Sequence, residues 1–342
     1  MTQDKRLGVC VIGCGRAGMI HARNYAGGVR GARLVALCDS SADNLRAAAS
    51  ELGVEKTYSD YRDVMADPDV DAVVVVTPTG MHCHVVKAAA KAGKHVFCEK
   101  PMATSAAECD EMISVCKNAG VKLQIGFMRR FDKSFRHAKE VIDSGQIGDV
   151  TLIKSLTHGP SEPKEWMFDI SRSSGPIGEV NSHDFDTLRW YADSEVKTIH
   201  AIGHNFRSPE RAEEYPDYYD TVAVLLEFEN GVIGMVDGAQ YVQYGYDARA
   251  EVLGTKGNVC VGAQNADSVV VARAGMTLSS AAMPSWRTLF RDAYAEEARS
   301  FVRCVLDDVE PEVTGYDGKM ALILVRDGLR SLLEHRPIAV EA

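Results

Sequence analysis

Two groups of residues in this sequence have types and spacings suited to chemistry. The first is Val9-Cys10-Val11-Ile12-Gly13-Cys14-Gly15-Arg16-Ala17-Gly18, a G-x-G-x-x-G pattern at the end of an apolar run. Its glycines permit a tight turn, close approach of a pyrophosphate to the backbone, and close packing of helix on strand, and the helix N-terminus favours the anion. Asp39 stands 21 residues after Gly18, at the end of the second predicted strand, where a carboxylate accepts hydrogen bonds from ribose hydroxyls. It would repel a 2′-phosphate, and Ser40-Ser41-Ala42 offers no arginine to neutralise one, so NAD is favoured over NADP. Gly13, Cys14, Gly15, Arg16, Ala17, Gly18, Asp39 and Ser40 are the expected contacts. Thr77-Pro78-Thr79 ends a further strand at the carboxyl edge of the sheet, where open α/β sheets bind ligands. His82 follows in the same loop, as a ligand contact or as a solvated or capping histidine. The second group is Glu99-Lys100-Pro101, which follows residues 95–98 and completes the cofactor-facing set. Lys100 there can hydrogen-bond a substrate oxygen and stabilise alkoxide character as hydride leaves. A lone lysine is otherwise a surface residue.

The elements that must position these residues are legible as alternation. Short β-branched runs at 7–12, 33–38, 73–77, 95–98 and 122–126 alternate with amphipathic stretches at 17–25, 42–52, 84–92 and 106–119. That is the pattern of βαβ units on a parallel sheet. Glycines at 53, 93 and 120 close three of the helices. From about residue 129 the texture changes to alternating runs at 151–157, 198–206, 222–228, 232–236 and 250–253, with Glu229-Asn230-Gly231 as a hairpin signal. Helical stretches at 290–306 and 318–334 finish the chain. The expected fold is an α/β N-terminal Rossmann domain, a doubly wound parallel sheet over residues 1–126. An α+β C-terminal domain, residues 127–342, follows with a mostly antiparallel open sheet for substrate binding and oligomerisation. Its C-terminal helices are free to pack back toward the first domain. A chain of 342 residues is long for one core, and a cleft between two domains is expected.

Composition excludes several function classes. Hydrophobic residues at 46% and charged residues at 25% are ordinary globular values, which removes disordered and fibrous readings. A net charge of -10 without a basic stripe opposes nucleic-acid binding. The start, Met1-Thr2-Gln3-Asp4-Lys5-Arg6, is followed by an apolar run too short for a signal segment, and no run reaches membrane-spanning length. The expectation is a cytoplasmic protein with no membrane partner. Nine cysteines, none in a Cys-x-x-Cys pair, read as reduced thiols packed as small hydrophobes, and no metal site is expected; His82-Cys83-His84 has no second ligand cluster.

The glycine pattern with Asp39, Thr77-Pro78-Thr79 and Glu99-Lys100-Pro101 together resemble the glucose-fructose oxidoreductase and inositol dehydrogenase (Gfo/Idh/MocA) family, over essentially the whole chain. Gly126-Phe127-Met128-Arg129-Arg130-Phe131-Asp132 is similar to the segment by which inositol dehydrogenases cross into their second domain. Gln243-Tyr244-Gly245-Tyr246-Asp247, with Glu251-Val252-Leu253-Gly254-Thr255-Lys256-Gly257, resembles their later sheet motif, and both favour the inositol 2-dehydrogenase-like branch. The family's catalytic motif sets an acid four residues before a histidine on one helix, followed by His-Asp-x-Asp. Here it reads Glu179-Val180-Asn181-Ser182-His183-Asp184-Phe185-Asp186. The resemblance implies His183 as general base, with Glu179 on the same helical face to orient or tune it. Inositol dehydrogenases usually carry Asp where this chain has Glu179, and the added methylene changes that carboxylate's reach. Arg130 and Tyr244 are implied contacts to substrate hydroxyls or cofactor, Tyr244 fitting equally as an aromatic on the sheet face. Trp166 and Arg172 lie in a turn-rich stretch suited to a specificity loop.

The activity implied is oxidation of a secondary hydroxyl of a cyclic polyol, inositol or a pyranose sugar, with NAD. The rivals are a sugar-modifying enzyme with NAD as internal redox cofactor, and a non-catalytic NAD-binding sensor. An open sheet face implies a homodimer or homotetramer.

Overall fold

The computed structural model describes residues 6–341; Met1-Thr2-Gln3-Asp4-Lys5 lie outside the described residues. The chain divides into two compact units, one containing the chain up to Phe131 with Asp292–Leu322, the other Asp132–Arg291 and the chain from Ile323.

In the first unit, strands β1 (Leu7–Ile12), β2 (Ala32–Cys38), β3 (Thr57–Tyr58), β4 (Ala72–Val75), β5 (His95–Glu99) and β6 (Leu123–Gly126) form one sheet in the order β3-β2-β1-β4-β5-β6. Every pairing is parallel. All six residues of β1 are buried, as a strand covered on both faces requires. Helices α1 (Gly18–Ala26), α2 (Ala42–Leu52), α3 (Tyr61–Met65), α4 (Thr79–Lys91) and α5 (Ala106–Ala119) connect the strands. Ser41 and Ser105 cap α2 and α5 by accepting from Asn44 and Glu108 N–H, and Gly53 and Gly120 end them in left-handed conformation. The helix expected at 84–92 begins earlier: Pro78 stands at its N-cap, so Thr79 and His82 are helical rather than loop residues.

The second unit contains α6 (Lys133–Asp143), β7 (Val150–Gly159), α7 (Glu165–Phe168), α8 (Ile170–Ser173), α9 (Gly175–Glu179) and α10 (Ser182–Ala192). Strands β8 (Val196–His204), β9 (Thr221–Phe228), β10 (Ile233–Gln240), β11 (Asp247–Gly254) and β12 (Asn258–Val261) follow, with a hairpin of β13 (Val271–Arg273) and β14 (Thr277–Ser279) and the short helix α11 (Trp286–Leu289). Helix α12 (Arg291–Leu306) belongs almost wholly to the first unit, α13 (Gly315–Glu334) is divided between the two, and β15 (Ile338–Ala339) closes the chain. The larger sheet runs β12-β11-β7-β10-β9-β8-β15 and is antiparallel except for the β7–β10 pair. Asn230-Gly231 turns β9 into β10 with Gly231 at φ +86°. Strands β9 and β10 alternate buried and exposed positions; α9 and α10 cover the buried face, and Ile202, Leu225, Ile233, Met235 and Leu253 stand exposed on the other. Among the described residues no helix is long and apolar enough to cross a membrane.

Candidate active site

At the end of β1, Gly13 takes φ +101°, and a Cβ there would lie 2.4 Å from the Val76 carbonyl oxygen. At Gly18 a Cβ would lie 1.8 Å from the Gly13 carbonyl oxygen, so α1 can start against the loop only without a side chain. Gly15 differs: a Cβ would meet no protein atom within 4 Å, so the space in front of it is open. Arg16 and Ser40 are exposed, and Ala17 immediately precedes α1. Asp39 holds the turn, its carboxylate accepting from Cys14 N–H at 2.6 Å and Ser41 N–H at 2.7 Å. The Cys14 side chain packs inward, and burial, with Asp39 beside it, pushes its thiol up to about 12, far from a reactive thiolate.

A cavity of about 700 Å³ opens over this loop, lined by Gly13, Gly15, Asp39, Ser40, Thr77 and Pro78. It is lined also by Ser41, Asn44, Asp60, Tyr61, Arg62 and Met81, which motif reasoning missed. Arg62 is an arginine near Asp39 in space though not in sequence. Its guanidinium is taken by Asp60, whose carboxyl it holds down to about 2. The Thr77 hydroxyl is buried and has no hydrogen-bond partner among the described residues. The open Gly15, the orphaned Thr77 hydroxyl and the acid at the end of β2 fit a dinucleotide.

His82 offers no free ring nitrogen. Its Nε2 lies 2.8 Å from the Thr77 carbonyl oxygen and its Nδ1 2.9 Å from that of Pro101, so the buried ring staples two strand ends together. Burial lowers its pKa against the pull of those carbonyls. This corrects the expectation of a loop histidine and gives it a supporting position behind the cavity. Lys100 follows β5, partly exposed, and its N–H donates to Glu99 Oε2 at 3.0 Å. Glu99 itself is buried, its other oxygen 2.8 Å from His21 Nε2, so it faces the interior rather than a cofactor.

Arg130 is buried in the first unit. Its guanidinium donates to Asp317 at 2.9 Å and to the Glu312 carbonyl at 3.4 Å, where a substrate contact was expected. The arginine crosses to a residue 187 positions away, a partner that its local motif could not reveal.

In the second unit, Glu179 and His183 do not share one continuous helix. Glu179 ends α9 and His183 lies in the first turn of α10, with Val180 and Asn181 between. The Val180 N–H makes the regular bond to the Pro176 carbonyl four residues back, but the Asn181 N–H returns to the same carbonyl five residues back, which breaks the α-helical ladder, so spacing alone does not establish a shared face. His183 is 7% exposed and Glu179 partly exposed. What holds this helix start is Asp184, fully buried, which accepts from Ser155 Oγ at 2.5 Å, Thr157 Oγ1 at 2.7 Å and Asn181 Nδ2 at 2.8 Å. The hydroxyls come from alternate positions of β7, and a Cβ at Gly238 of the adjacent β10 would collide with Asn181. Tyr244 is placed elsewhere: its hydroxyl bonds His158 Nδ1, whose Nε2 lies 3.1 Å from Asp237. His158 and Asp237 belong to the sheet face opposite α10, so Tyr244 and His183 are not brought together within the unit. Trp166 and the exposed Arg172 lie on the short helices α7 and α8.

Residues 7–127 match the oxidoreductase family with an NAD-binding Rossmann fold, and residues 135–260 match the Gfo/Idh/MocA C-terminal domain. The chain is 38% identical over 332 residues to myo-inositol 2-dehydrogenase of Thermotoga maritima, covering 97% of this chain and 98% of that protein. It is 35% identical over 312 residues to the NAD(+)-dependent scyllo-inositol 2-dehydrogenase of Bacillus subtilis, covering 91% and 90%. The crystal structure of scyllo-inositol dehydrogenase from Lactobacillus casei with bound NAD(H) and scyllo-inositol is similar at TM-score 0.91 and 29% identity, covering 99% of this chain and 100% of that one. The chain therefore belongs to the Gfo/Idh/MocA family of NAD-dependent oxidoreductases.

Proposed function

We propose that this protein oxidises a secondary hydroxyl of a cyclic polyol, an inositol or a pyranose sugar, to the ketone, with NAD as acceptor. The observation that carries the reading is end-to-end likeness to named inositol dehydrogenases, in a chain that presents Lys100 after β5 and His183 at the start of α10. Bound NAD supplies the hydride acceptor. The glycine loop and the Thr77 hydroxyl bind it, and Asp39 selects against a 2′-phosphate, a preference that Asp60 protects by occupying Arg62. His183 takes the hydroxyl proton, the Lys100 ammonium stabilises the oxygen as it becomes a ketone, and Glu179 tunes His183. In this division of labour, residues 1–126 serve the cofactor and residues 127–342 the substrate and self-association. The exposed apolar face of the larger sheet supports a homodimer or homotetramer, and the nine free cysteines accord with a reducing cytoplasm.

The test is NADH formation across a panel of inositol isomers and pyranose sugars, with NAD and NADP in parallel. Turnover with NAD on one polyol, abolished in Lys100→Ala and His183→Ala, is the expected result. Tight NAD binding with no turnover across the panel would overturn the dehydrogenase reading in favour of internal-redox or sensing roles.

A further inference from the structure

Beneath Lys100, the first unit buries more carboxyl groups than its donors can satisfy. His21 of α1, Glu99 of β5 and Glu297 of α12 converge so that one ligand atom from each lies within 4.8 Å of the others. All three side chains are buried, Glu297 completely. Glu99 is well provided for: Oε1 pairs with His21 Nε2 at 2.8 Å and Oε2 accepts the Lys100 N–H at 3.0 Å. Its carboxylate occupies space that a glycine leaves open, since a Cβ at Gly126 would lie 2.9 Å from that same Oε2. Glu297 has neither provision. Among the described residues both of its carboxyl oxygens lack a hydrogen-bond partner.

Two carboxyls this close in a dry interior cannot both carry charge, because desolvation and mutual repulsion each oppose it. The donors decide which one ionises. Glu99 has two and Glu297 none, so the negative charge belongs on Glu99 and the proton on Glu297. The other polar groups around Glu297 agree. Tyr25 of α1 has a buried, unpartnered hydroxyl, Gln124 of β6 donates to the Glu297 main-chain carbonyl, and the His21 ring lies between Phe97 and the edge of Tyr294. Burial first, and Glu99 second, push the Glu297 carboxyl well above the ordinary carboxylate range.

We propose that Glu297 and His21 are positioning residues for Lys100, acting through Glu99: the carboxyl pair shares one proton, and the single charge left on Glu99 clamps the main chain at Lys100. The proposal rests on the role given to Lys100 above. Neutral Glu297 leaves the Glu99 charge undivided between His21 and the Lys100 N–H and sets the dipole of a carboxylic acid beside that charge, which an amide reproduces and a hydrocarbon does not. Loss of that proton would set a second charge against a carboxylate tied on both oxygens, to His21 and to the Lys100 N–H.

The experiment uses the NAD-loaded protein and two variants, Glu297→Gln, which imitates the protonated acid, and Glu297→Leu, which fills the space without a polar group. A buried apolar replacement of similar size is neutral or stabilising for the fold, so a purely structural role predicts a healthy Leu variant. At neutral pH, infrared difference spectra are expected to contain the carbonyl stretch of a protonated carboxylic acid in the wild type and to lose it in Glu297→Gln. Hydrogen exchange at the Lys100 amide should quicken about tenfold in Glu297→Leu and stay unchanged in Glu297→Gln. With a polyol substrate, kcat should fall about tenfold or more in the Leu variant, KM for NAD should hold within about twofold, and the Gln variant should keep wild-type kcat. A missing carboxylic-acid band, a Leu variant with wild-type exchange at Lys100, or a stoichiometric metal ion in the purified protein would each overturn the proposal. The spectral and exchange measurements need no turnover, so a protein inactive on every polyol would sink the dehydrogenase reading and still leave the clamp decided.

Discussion

Replacing Asp184 with alanine removes an acceptor from three buried donors at once, on Ser155, Thr157 and Asn181, and leaves Ser155 Oγ a longer bond to the Arg249 carbonyl at 3.4 Å. A hydrogen bond to a charged group is worth about 1.5–3 kcal/mol, but the three are coupled and do not add. The better guide is the cost of breaking a buried charged network from one side, about 3–5 kcal/mol. For a folding unit of this size that lowers Tm by about 6–20 °C, since each kcal/mol shifts it by about 2–4 °C. Asp184→Asn keeps the shape: with its amide nitrogen in the place of Oδ1 the Ser155 hydroxyl can turn to accept, and its oxygen in the place of Oδ2 still accepts from Thr157 and Asn181, so about 1–2 kcal/mol is expected. The functional effect should be selective, because the network ties β7 to the first turn of the helix that carries His183. Under the dehydrogenase reading, kcat drops in both variants while KM for NAD is held by the first unit. Chemical denaturation and steady-state kinetics on the same preparations make the comparison. An Asp184→Ala protein within about 1 kcal/mol of wild type would refute the reasoning, since no buried donor set of this kind can be abandoned so cheaply.

The second and third glycines of the cofactor loop should separate folding from binding. Gly18→Ala forces a Cβ to 1.8 Å from the Gly13 carbonyl and should cost about 1–3 kcal/mol or more, together with NAD affinity, whereas Gly15→Ala meets no protein atom and should weaken NAD binding at unchanged Tm. Calorimetric titration with NAD beside thermal melts reads both, and a Gly15→Ala protein with wild-type affinity would contradict the placement of the dinucleotide. The raised pKa of Glu297 makes stability depend on pH with a definite sign. A carboxyl raised in the folded state contributes stability that is complete below its unfolded value, about 4.3, and is lost as pH rises toward the folded value. Glu297→Gln escapes that loss, so its stability relative to wild type should grow by up to about 1.4 kcal/mol per pH unit between about pH 5 and about pH 8. A constant offset across that range would show that Glu297 is ionised in the folded protein.

Local patterns carried most of the fold. The all-buried β1, the Ser41 and Ser105 caps, the left-handed glycines after α2 and α5, and the Asn230-Gly231 turn are each decided by residues a few positions apart. The five longest strands of the larger sheet lie where alternation placed them. What pattern could not supply depends on distant partners or on breaks in periodicity. The short helices α7, α8 and α9 are too brief to develop an amphipathic stripe, and β15 is a strand only because its two residues pair with β8. The single-helix expectation for Glu179 and His183 failed because spacing says nothing of whether the ladder between them is intact, and here the Asn181 amide returns to Pro176, five residues back.

The residues assigned to the proposed chemistry and those that hold them obey different rules of legibility. Under the proposed function, Lys100, His183 and the glycine loop stand in short motifs because that chemistry needs them at a strand end, a helix start and a turn. The groups that hold the segments around them are acids with partners far along the chain. Asp39 reaches back 25 residues to Cys14 N–H, Glu99 pairs with His21 across 78, and Asp184 takes hydroxyls from 27 and 29 residues upstream. Each acid sits inside or beside a motif yet bonds out of it: Asp39 and Glu99 hold main-chain N–H groups, and Asp184 holds side chains of β7 and of the turn before α10. Arg130 obeys the same rule in reverse. Its motif suggests a ligand contact, while its guanidinium is bound to Asp317. A charged residue in a recognisable motif is thus open to two assignments, reacting group or brace, and only the long-range partner separates them. By that criterion Glu99 and Asp184 are braces, and the lysine and histidine beside them are what they brace.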